Sequence, residues 1–477
     1  MRWSVCVSAL TGLGLRARSV ARRGRREIPR IIAIAALAVG AETWAAPDSA
    51  PSARPNFIVI LADDLGYGDI GSYGSRVNAT PNLDRMAREG LRFTDFHSNG
   101  PMCWPTRAAL LSGRYQQRCG IEGTEGGTAD RDWGGMPAWV QTFAETLRHH
   151  GYATGMYGKW HLGERTEYSP SQQGFDDFRG IRTGDSDYQS HVDRRGKPDW
   201  WHNDSLAPEA GYITDLITRH SIEFIERNRQ QPFVLYVAHL AVHFPWQGPR
   251  DKAARVAGVN YWDTDAKLGT NRTDPRAAYA EMLRELDNSV GAILGKVKAL
   301  GLEQNTLVLF LSDNGGHEAV AVNAPWRGYK GQVYEGGHRV PAMAWWPGRV
   351  PPGLVSDATL LTMDIFPTML DAAKIPLPDQ DEKLDGVSLL PLLTKGEQPP
   401  ARTLFWRRGA WKAVRQDGWK LVVGPPGVEL YYLPHDPAEQ QNLARENSER
   451  VVALGASLKL WEDDVAGSYR RMSARGE

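Results

Sequence analysis

Phe57-Ile58-Val59-Ile60-Leu61, running through Ala62 into Asp63-Asp64, decides the fold. A half-exposed strand would alternate apolar and polar residues. This unbroken, β-branched run reads instead as a strand covered on both faces, as in the middle of a parallel sheet. Downstream, Thr80-Pro81 opens a helix with Leu83, Met86 and Ala87 turned inward. The pattern then predicts a helix over 143–150, a strand over 152–157, a helix over 213–227 and a strand over 233–238. A long helix over 277–300 carries Met282, Leu286, Val290, Ile293 and Val297 on one face, and a buried strand follows over 306–311. Helices alternating with apolar strands give an α/β sandwich around a mostly parallel sheet.

The character changes after Asp385. Pro391, Pro399 and Pro400 mark a linker, and short apolar runs at 411–415, 420–423 and 429–433 predict a small antiparallel sheet followed by a helix over 448–462. The chain divides into a leader (1–46), a large body (47–390) and a small C-terminal α+β subdomain (391–477). The leader is basic over 16–30, apolar over 31–40 (IIAIAALAVG) and small-residued at Ala45-Ala46, which describes an export signal; the apolar run is too short to span a membrane. The protein is expected to be exported, periplasmic or secreted. Residues 1–46 hold eight arginines and two glutamates, so a chain of formal net charge zero leaves a body near −6. With no basic run in that body, nucleic acid is excluded as a partner. Three cysteines do not make a disulfide scaffold. Long polar loops over 124–137 and 180–208 are candidates to shape a pocket. Asn78, Asn203 and Asn271 stand in glycosylation sequons. Oligomeric state is not legible in the sequence.

Chemistry concentrates at strand ends. Asp63-Asp64 and Asp313-Asn314 each follow a buried run, and ligands of open α/β sheets bind outside the carboxyl ends of the strands. Three carboxylates and an amide offer only oxygens, a donor set for a hard cation, best Ca²⁺. Either pair alone would pass for turn chemistry. The other centre is Met102-Cys103-Trp104-Pro105-Thr106-Arg107, which sets a cysteine at a helix start, where the dipole favours anions, with Arg107 one turn on. Lys159 and His161 lie in Gly158-Lys159-Trp160-His161-Leu162-Gly163 after a strand. His243 follows PFVLYVAHL, Lys330 lies in RGYKG, and His239 reads as a core residue. Alone, each would be an ordinary loop or core side chain.

Together these segments resemble the formylglycine-dependent sulfatases of the arylsulfatase branch, near arylsulfatase A and N-acetylgalactosamine-6-sulfatase. The resemblance rests on PNFIVILADDLGYGDIGSYG, TPNLDRMAREGLRF, CWPTRAALLSGR, GKWHLG, LSDNG, GYKGQVYEGGHRVP and ELYYLPHDPAEQQNLA, in that order. Thr106 stands where the family usually has serine. The resemblance implies an alkaline-phosphatase-like α/β/α sandwich with a small C-terminal antiparallel-sheet subdomain. It implies hydrolysis of sulfate monoesters of sulfated carbohydrates or aryl alcohols, and Cys103 converted to formylglycine by a formylglycine-generating enzyme. One Ca²⁺ would be held by Asp63, Asp64, Asp313 and Asn314, with converted Cys103 and the substrate sulfate completing the shell. Arg107 would steady the nucleophile, and Lys159, His161, His243 and Lys330 would contact sulfate or leaving group. Asp313 would take the nucleophile's proton, His243 protonate the leaving alcohol and His161 act as base in sulfate release. His317 and the Trp200-Trp201-His202 loop are candidates for substrate selection. The rival readings are a phosphate or phosphonate monoester hydrolase on the same fold and a non-catalytic sulfoglycan-binding protein.

Overall fold

A computed structural model describes residues 54–122, 134–261, 273–377 and 384–476. The leader, most of the 124–137 loop and Asn271 lie outside the described residues. The strands are β1 (Asn56–Ala62), β2 (Leu91–Phe93), β3 (Phe96–His97), β4 (Ala153–Lys159), β5 (Asp177–Ile181), β6 (Trp201–His202), β7 (Ser205–Leu206), β8 (Phe233–Ala238), β9 (Thr306–Ser312), β10 (Ala342–Trp345), β11 (Leu354–Ser356), β12 (Leu360–Leu361), β13 (Leu404–Arg408), β14 (Trp411–Gln416), β15 (Trp419–Gly424) and β16 (Gly427–Tyr432). The α-helices are α1 (Pro81–Glu89), α2 (Cys103–Ser112), α3 (Phe143–His149), α4 (Ile213–Arg227), α5 (Pro275–Ala299), α6 (Glu335–His338), α7 (Ile365–Ala373), α8 (Leu390–Lys395) and α9 (Ser448–Gly476).

The central sheet runs β11-β2-β10-β9-β1-β8-β4-β5-β6-β7. Its middle block, from β9 to β5, is parallel, and β10 pairs antiparallel with β9 and β2. The unbroken apolar run of β1 has a simple cause. Phe57, Val59 and Leu61 enter a core with Leu111, Phe143 and Phe366, under α2, α3 and α7. Ile58 and Ile60 enter the opposite core with Leu83, Ile217, Met282 and Leu286, under α1, α4 and α5. One strand feeds both cores, so neither face can be polar.

Several elements depart from expectation. Helix α5 starts two residues early, because the Asp274 carboxylate accepts from the Arg276 and Ala277 amides and Pro275 suits the first turn. Helix α9 runs past Glu462 to Gly476. The C-terminal sheet has four strands, β13-β14-β15-β16, because Leu404–Arg408 joins it. That arginine-ended segment carried no alternation to reveal it. The core of this sheet, including Trp406, Leu421 and Leu430, takes in Tyr115, Val333, Leu361 and Met363 from the body. Among the described residues no helix is long and apolar enough to cross a membrane.

Candidate active site

Two parallel neighbours end together and bring their acids side by side. Ala62 of β1 is in register with Ser312 of β9, so Asp63 and Asp313 emerge as a pair. The chain turns sharply at Asp64, whose φ of 60° lets its amide reach Asp313 Oδ1 at 3.2 Å. Helix α2 starts at Cys103 itself, with Met102 extended before it. The Thr106 hydroxyl donates to the Gly100 carbonyl at 2.9 Å and pins the approach to that cysteine. Threonine thus keeps the hydroxyl that serine would provide.

Arg107 is fully buried one turn into α2. Its Nη2 donates to Asp63 Oδ2 at 2.8 Å and to Asp313 Oδ2 at 3.0 Å, and Nη1 donates to the Lys159 carbonyl at 2.8 Å. Lys159, at the end of β4, lies 2.5 Å from Asp63 Oδ2, and Lys330 lies 2.7 Å from Asp64 Oδ1. Asn314 donates to Asp64 Oδ1 at 2.7 Å. This leaves Asp63 Oδ1 and Asn314 Oδ1 buried with no hydrogen-bond partner. Such acceptors cost free energy unless a cation or water meets them. Cysteine, histidine and carboxylate donor atoms gather around the same point: Asp63, Asp64 and His243 in one set within 4.8 Å, Asp63, Cys103 and Asp313 in another. The donor chemistry fits a divalent metal. Burial and the neighbouring Asp63 charge raise the Asp313 carboxyl to about 7, and burial raises the Cys103 thiol.

Both histidines are neutral imidazoles here. Burial, then Lys159 and Arg107, hold His161 well below its ordinary value. Its ring packs so closely on Gly184 that a Cβ there would lie 2.5 Å from Nε2. Burial, then Lys330 and Lys159, lower His243 likewise. His243 Nδ1 lies 2.6 Å from the Phe244 carbonyl; a carbonyl only accepts, so Nδ1 carries the hydrogen. Nε2 then faces Asp64 Oδ2 at 3.7 Å. His239 is a core residue, 3.0 Å from Ser289 Oγ, with its pKa pushed down to about 3 by burial.

A cavity of about 320 Å³ opens above the cluster, lined by Cys103, His161, His243, Lys330 and His317 among others. Trp200-Trp201-His202 does not line it. Trp200 is buried against His191, and Trp201 lies under the Arg182 guanidinium. Sequence reasoning missed Arg194, Phe244, Glu318 and Arg408 on the cavity wall. They lie far apart in the sequence, Arg408 at the end of β13 and the others outside the strands and helices, and only the fold brings them together.

The sulfatase family profile matches residues 55–375, and the profile for the C-terminal part of N-sulphoglucosamine sulphohydrolase matches residues 327–463. The chain belongs to the sulfatase family: it has the alkaline-phosphatase-like fold and is a sulfuric ester hydrolase. It is 36 % identical to N-acetylgalactosamine-6-sulfatase of Canis lupus familiaris over 384 residues, covering 74 % of this chain and 69 % of the relative. It is 32 % identical to human arylsulfatase G over 477 residues, covering 86 % of each. The crystal structure of Ps i-CgsB superposes with a TM-score of 0.76 at 30 % identity, covering 86 % of this chain and 92 % of that one. Family members use a formylglycine and a divalent metal, and the acidic cluster beside Cys103 is a place where a metal fits.

Proposed function

We propose that this sulfatase removes sulfate from sulfated carbohydrates, with Cys103 converted to formylglycine and one Ca²⁺ held by Asp63, Asp64, Asp313, Asn314 and converted Cys103. The observation that carries this reading is the pair of buried, unpartnered acceptors, Asp63 Oδ1 and Asn314 Oδ1, beside a helix-start cysteine. An all-oxygen shell favours Ca²⁺. The carbohydrate part is supported by the similarity to N-acetylgalactosamine-6-sulfatase. Residues 1–46 are the export leader, a formylglycine-generating enzyme is the maturation partner, 47–390 is the catalytic domain and 391–477 the C-terminal subdomain.

A sulfate monoester resists attack because its oxygens are negative. Bound Ca²⁺ would neutralise part of that charge and orient the sulfate. Converted Cys103 supplies an oxygen nucleophile with a second hydroxyl through which sulfate is later released; a thiol has none. Lys159 and Lys330 oppose the remaining charge, most of all as it develops in the transition state. Arg107 holds Asp63 and Asp313 in place and offsets their repulsion. Asp313, whose oxygen lies within 4.8 Å of Cys103 Sγ, accepts the nucleophile's proton. His243 gives a proton to the leaving oxygen through Nε2. It gains that proton when the anionic sulfate enters and offsets Lys330 and Lys159. His161 serves as base when sulfate leaves.

Metal analysis together with turnover of an aryl sulfate, an aryl phosphate and a panel of defined sulfated saccharides tests the reading. One Ca²⁺ per chain, and sulfate esters turned over in preference to phosphate, are expected. Preference for phosphate, or an intact Cys103 thiol in fully active protein, refutes it.

A further inference from the structure

Two arginines on the cavity wall have no part in the chemistry above. In the proposed chemistry the sulfate's charge is already met by Lys159 and Lys330, while Arg107 is taken up by Asp63 and Asp313. Arg194 and Arg408 come from distant parts of the chain yet line the same cavity as Cys103. Arg408 ends β13 in the C-terminal sheet, and its Nη1 donates to the Gly331 carbonyl at 2.7 Å. That glycine has a φ of +87°, and a Cβ on it would lie 2.5 Å from Arg408 Nη1, so a side chain there would push the guanidinium out of this position. The Gly331 amide in turn donates to the Pro101 carbonyl at 2.7 Å. Arg408 is thus fixed between the residue after Lys330 and the segment before Cys103. On another wall, Arg194 donates through Nε to both Asp185 oxygens at 2.7–2.8 Å and stacks 5.0 Å from the centre of the Phe244 ring. Its charge reaches inward, contributing to the lowered values of both His161 and His243. Among the described residues Glu318 is the one acid lining this cavity, and it sits beside the Tyr329 hydroxyl. All this occurs on a body whose net charge is about −6.

We propose that Arg194 and Arg408 form a second anion subsite, so that the substrate is a saccharide bearing a further sulfate or carboxylate near the ester that is cleaved. The inference rests on the sulfatase reading of the site. Planar guanidinium groups match the oxygens of sulfate and carboxylate in paired hydrogen bonds, and a cleft lined by one sign of charge concentrates the opposite sign. A second anion held away from the reacting sulfur contributes equally to ground and transition state, so its signature lies in KM rather than kcat.

The test compares matched sugars, one with a single sulfate and otherwise neutral, the others the same sugar with a second sulfate or a carboxylate at each available position. Metal-loaded, converted enzyme and its Arg194→Gln and Arg408→Gln variants are assayed at two salt concentrations. At least one doubly anionic sugar should show kcat/KM about 10- to 100-fold above the singly charged one, the range of charge-assisted hydrogen bonds. Each variant should narrow that ratio through KM, and salt should narrow it in the wild type. Equal kcat/KM for every sugar in the wild type overturns the subsite while leaving the sulfatase reading intact. So does an equal loss on singly and doubly charged sugars in both variants, which would make the arginines donors to sugar hydroxyls. No turnover of any sulfate ester overturns both readings.

Discussion

The protein buries two dense clusters of charge, and the described structure treats them differently. The first gathers Asp63, Asp64, Asp313, Asn314, Arg107, Lys159 and Lys330 at the strand ends. The second lies where the body meets the C-terminal sheet and gathers Asp95, His97, Glu335, His338, Arg415, Lys420 and Glu439. Each contains a set of donor atoms compact enough for a metal, His97, Glu335 and His338 in the second case. In the second cluster, however, the central place is taken. The Lys420 ammonium lies 2.9 Å from Glu335 Oε1, 2.9 Å from Glu439 Oε1 and 3.1 Å from His338 Nε2. Asp95 is held by Arg415 at 2.6 Å and Arg339 at 3.0 Å, which keep its carboxyl well below the usual range despite burial. Every carboxylate there faces a cation of the chain itself. In the first cluster Asp63 Oδ1 and Asn314 Oδ1 have no hydrogen-bond partner, and a cavity opens above. A buried charge cluster closed by its own residues is architecture; buried acceptors without a partner beside a cavity are what a cation-binding site requires.

The sharpest way to break that contrast is at Cys103. Cys103→Ala should lower turnover by about 10⁵-fold or more, as loss of a covalent nucleophile does, with the circular dichroism spectrum unchanged. Appreciable activity in that variant would end the nucleophile assignment. Next in size is His243. General acid catalysis contributes about 10²–10⁴-fold, and most when the leaving alcohol is poor. His243→Ala should therefore harm a sugar sulfate far more than a nitrophenyl sulfate, whose phenolate leaves unaided. Equal losses would make His243 a sulfate-binding residue and pass the acid role to Lys330.

The two clusters also differ in how far the sequence reveals them. The first was legible because its residues sit directly after buried apolar runs: Asp63-Asp64 after FIVILA, Asp313-Asn314 after TLVLFLS, Lys159 at the end of a strand. Strand ends of a parallel sheet converge in space, so spacing in the sequence translates into proximity. The resemblance to sulfatases then supplied roles that spacing alone left open. The second cluster was invisible. Lys420 stands among Trp419, Leu421 and Val422 and reads as an outward strand residue, yet it is fully buried, because the body covers that face of the sheet. His97 belongs to a two-residue strand pairing too short to announce itself, and Asp95 lies just before it. Arg194 and Arg408 escaped for the same reason: they meet at one cavity only through tertiary packing.

Lys420 tests whether the second cluster is architecture. Lys420→Met leaves Glu439 beside Glu335 without its cation, while Glu335 keeps Arg339 and Arg415, and breaking a buried ion pair costs about 3–5 kcal/mol. Denaturant unfolding should show a loss of that size. kcat on an aryl sulfate, measured well below the unfolding transition, should change little by comparison. A variant with unchanged stability but lost metal would instead make this cluster a second functional centre.

The smallest expected effect is a slope. Burial raises the Glu439 carboxyl to about 7, Lys420 pulls it down, and Glu335 pushes it up again. An acid whose folded pKa lies above its unfolded value binds its proton more tightly in the native state. Its contribution to stability is therefore complete below the unfolded value, near 4.3, and is lost as pH rises through the folded one. Between about pH 4.5 and 7 the wild type should lose stability on this account, a trend opposite to that of Asp95, whose lowered pKa stabilises the native state increasingly as pH rises towards 3.9 and fully above it. Because Asp95 is already ionised above about pH 5, the two contributions separate along the pH axis. Unfolding free energies of the wild type and Glu439→Gln, measured at half-unit steps from pH 5 to 8, should converge at the acid end and diverge towards neutrality, with the amide variant the flatter curve. Parallel curves would mean that Glu439 stays ionised throughout, and that Lys420 serves both carboxylates as a full ion pair rather than sharing its charge unequally between them.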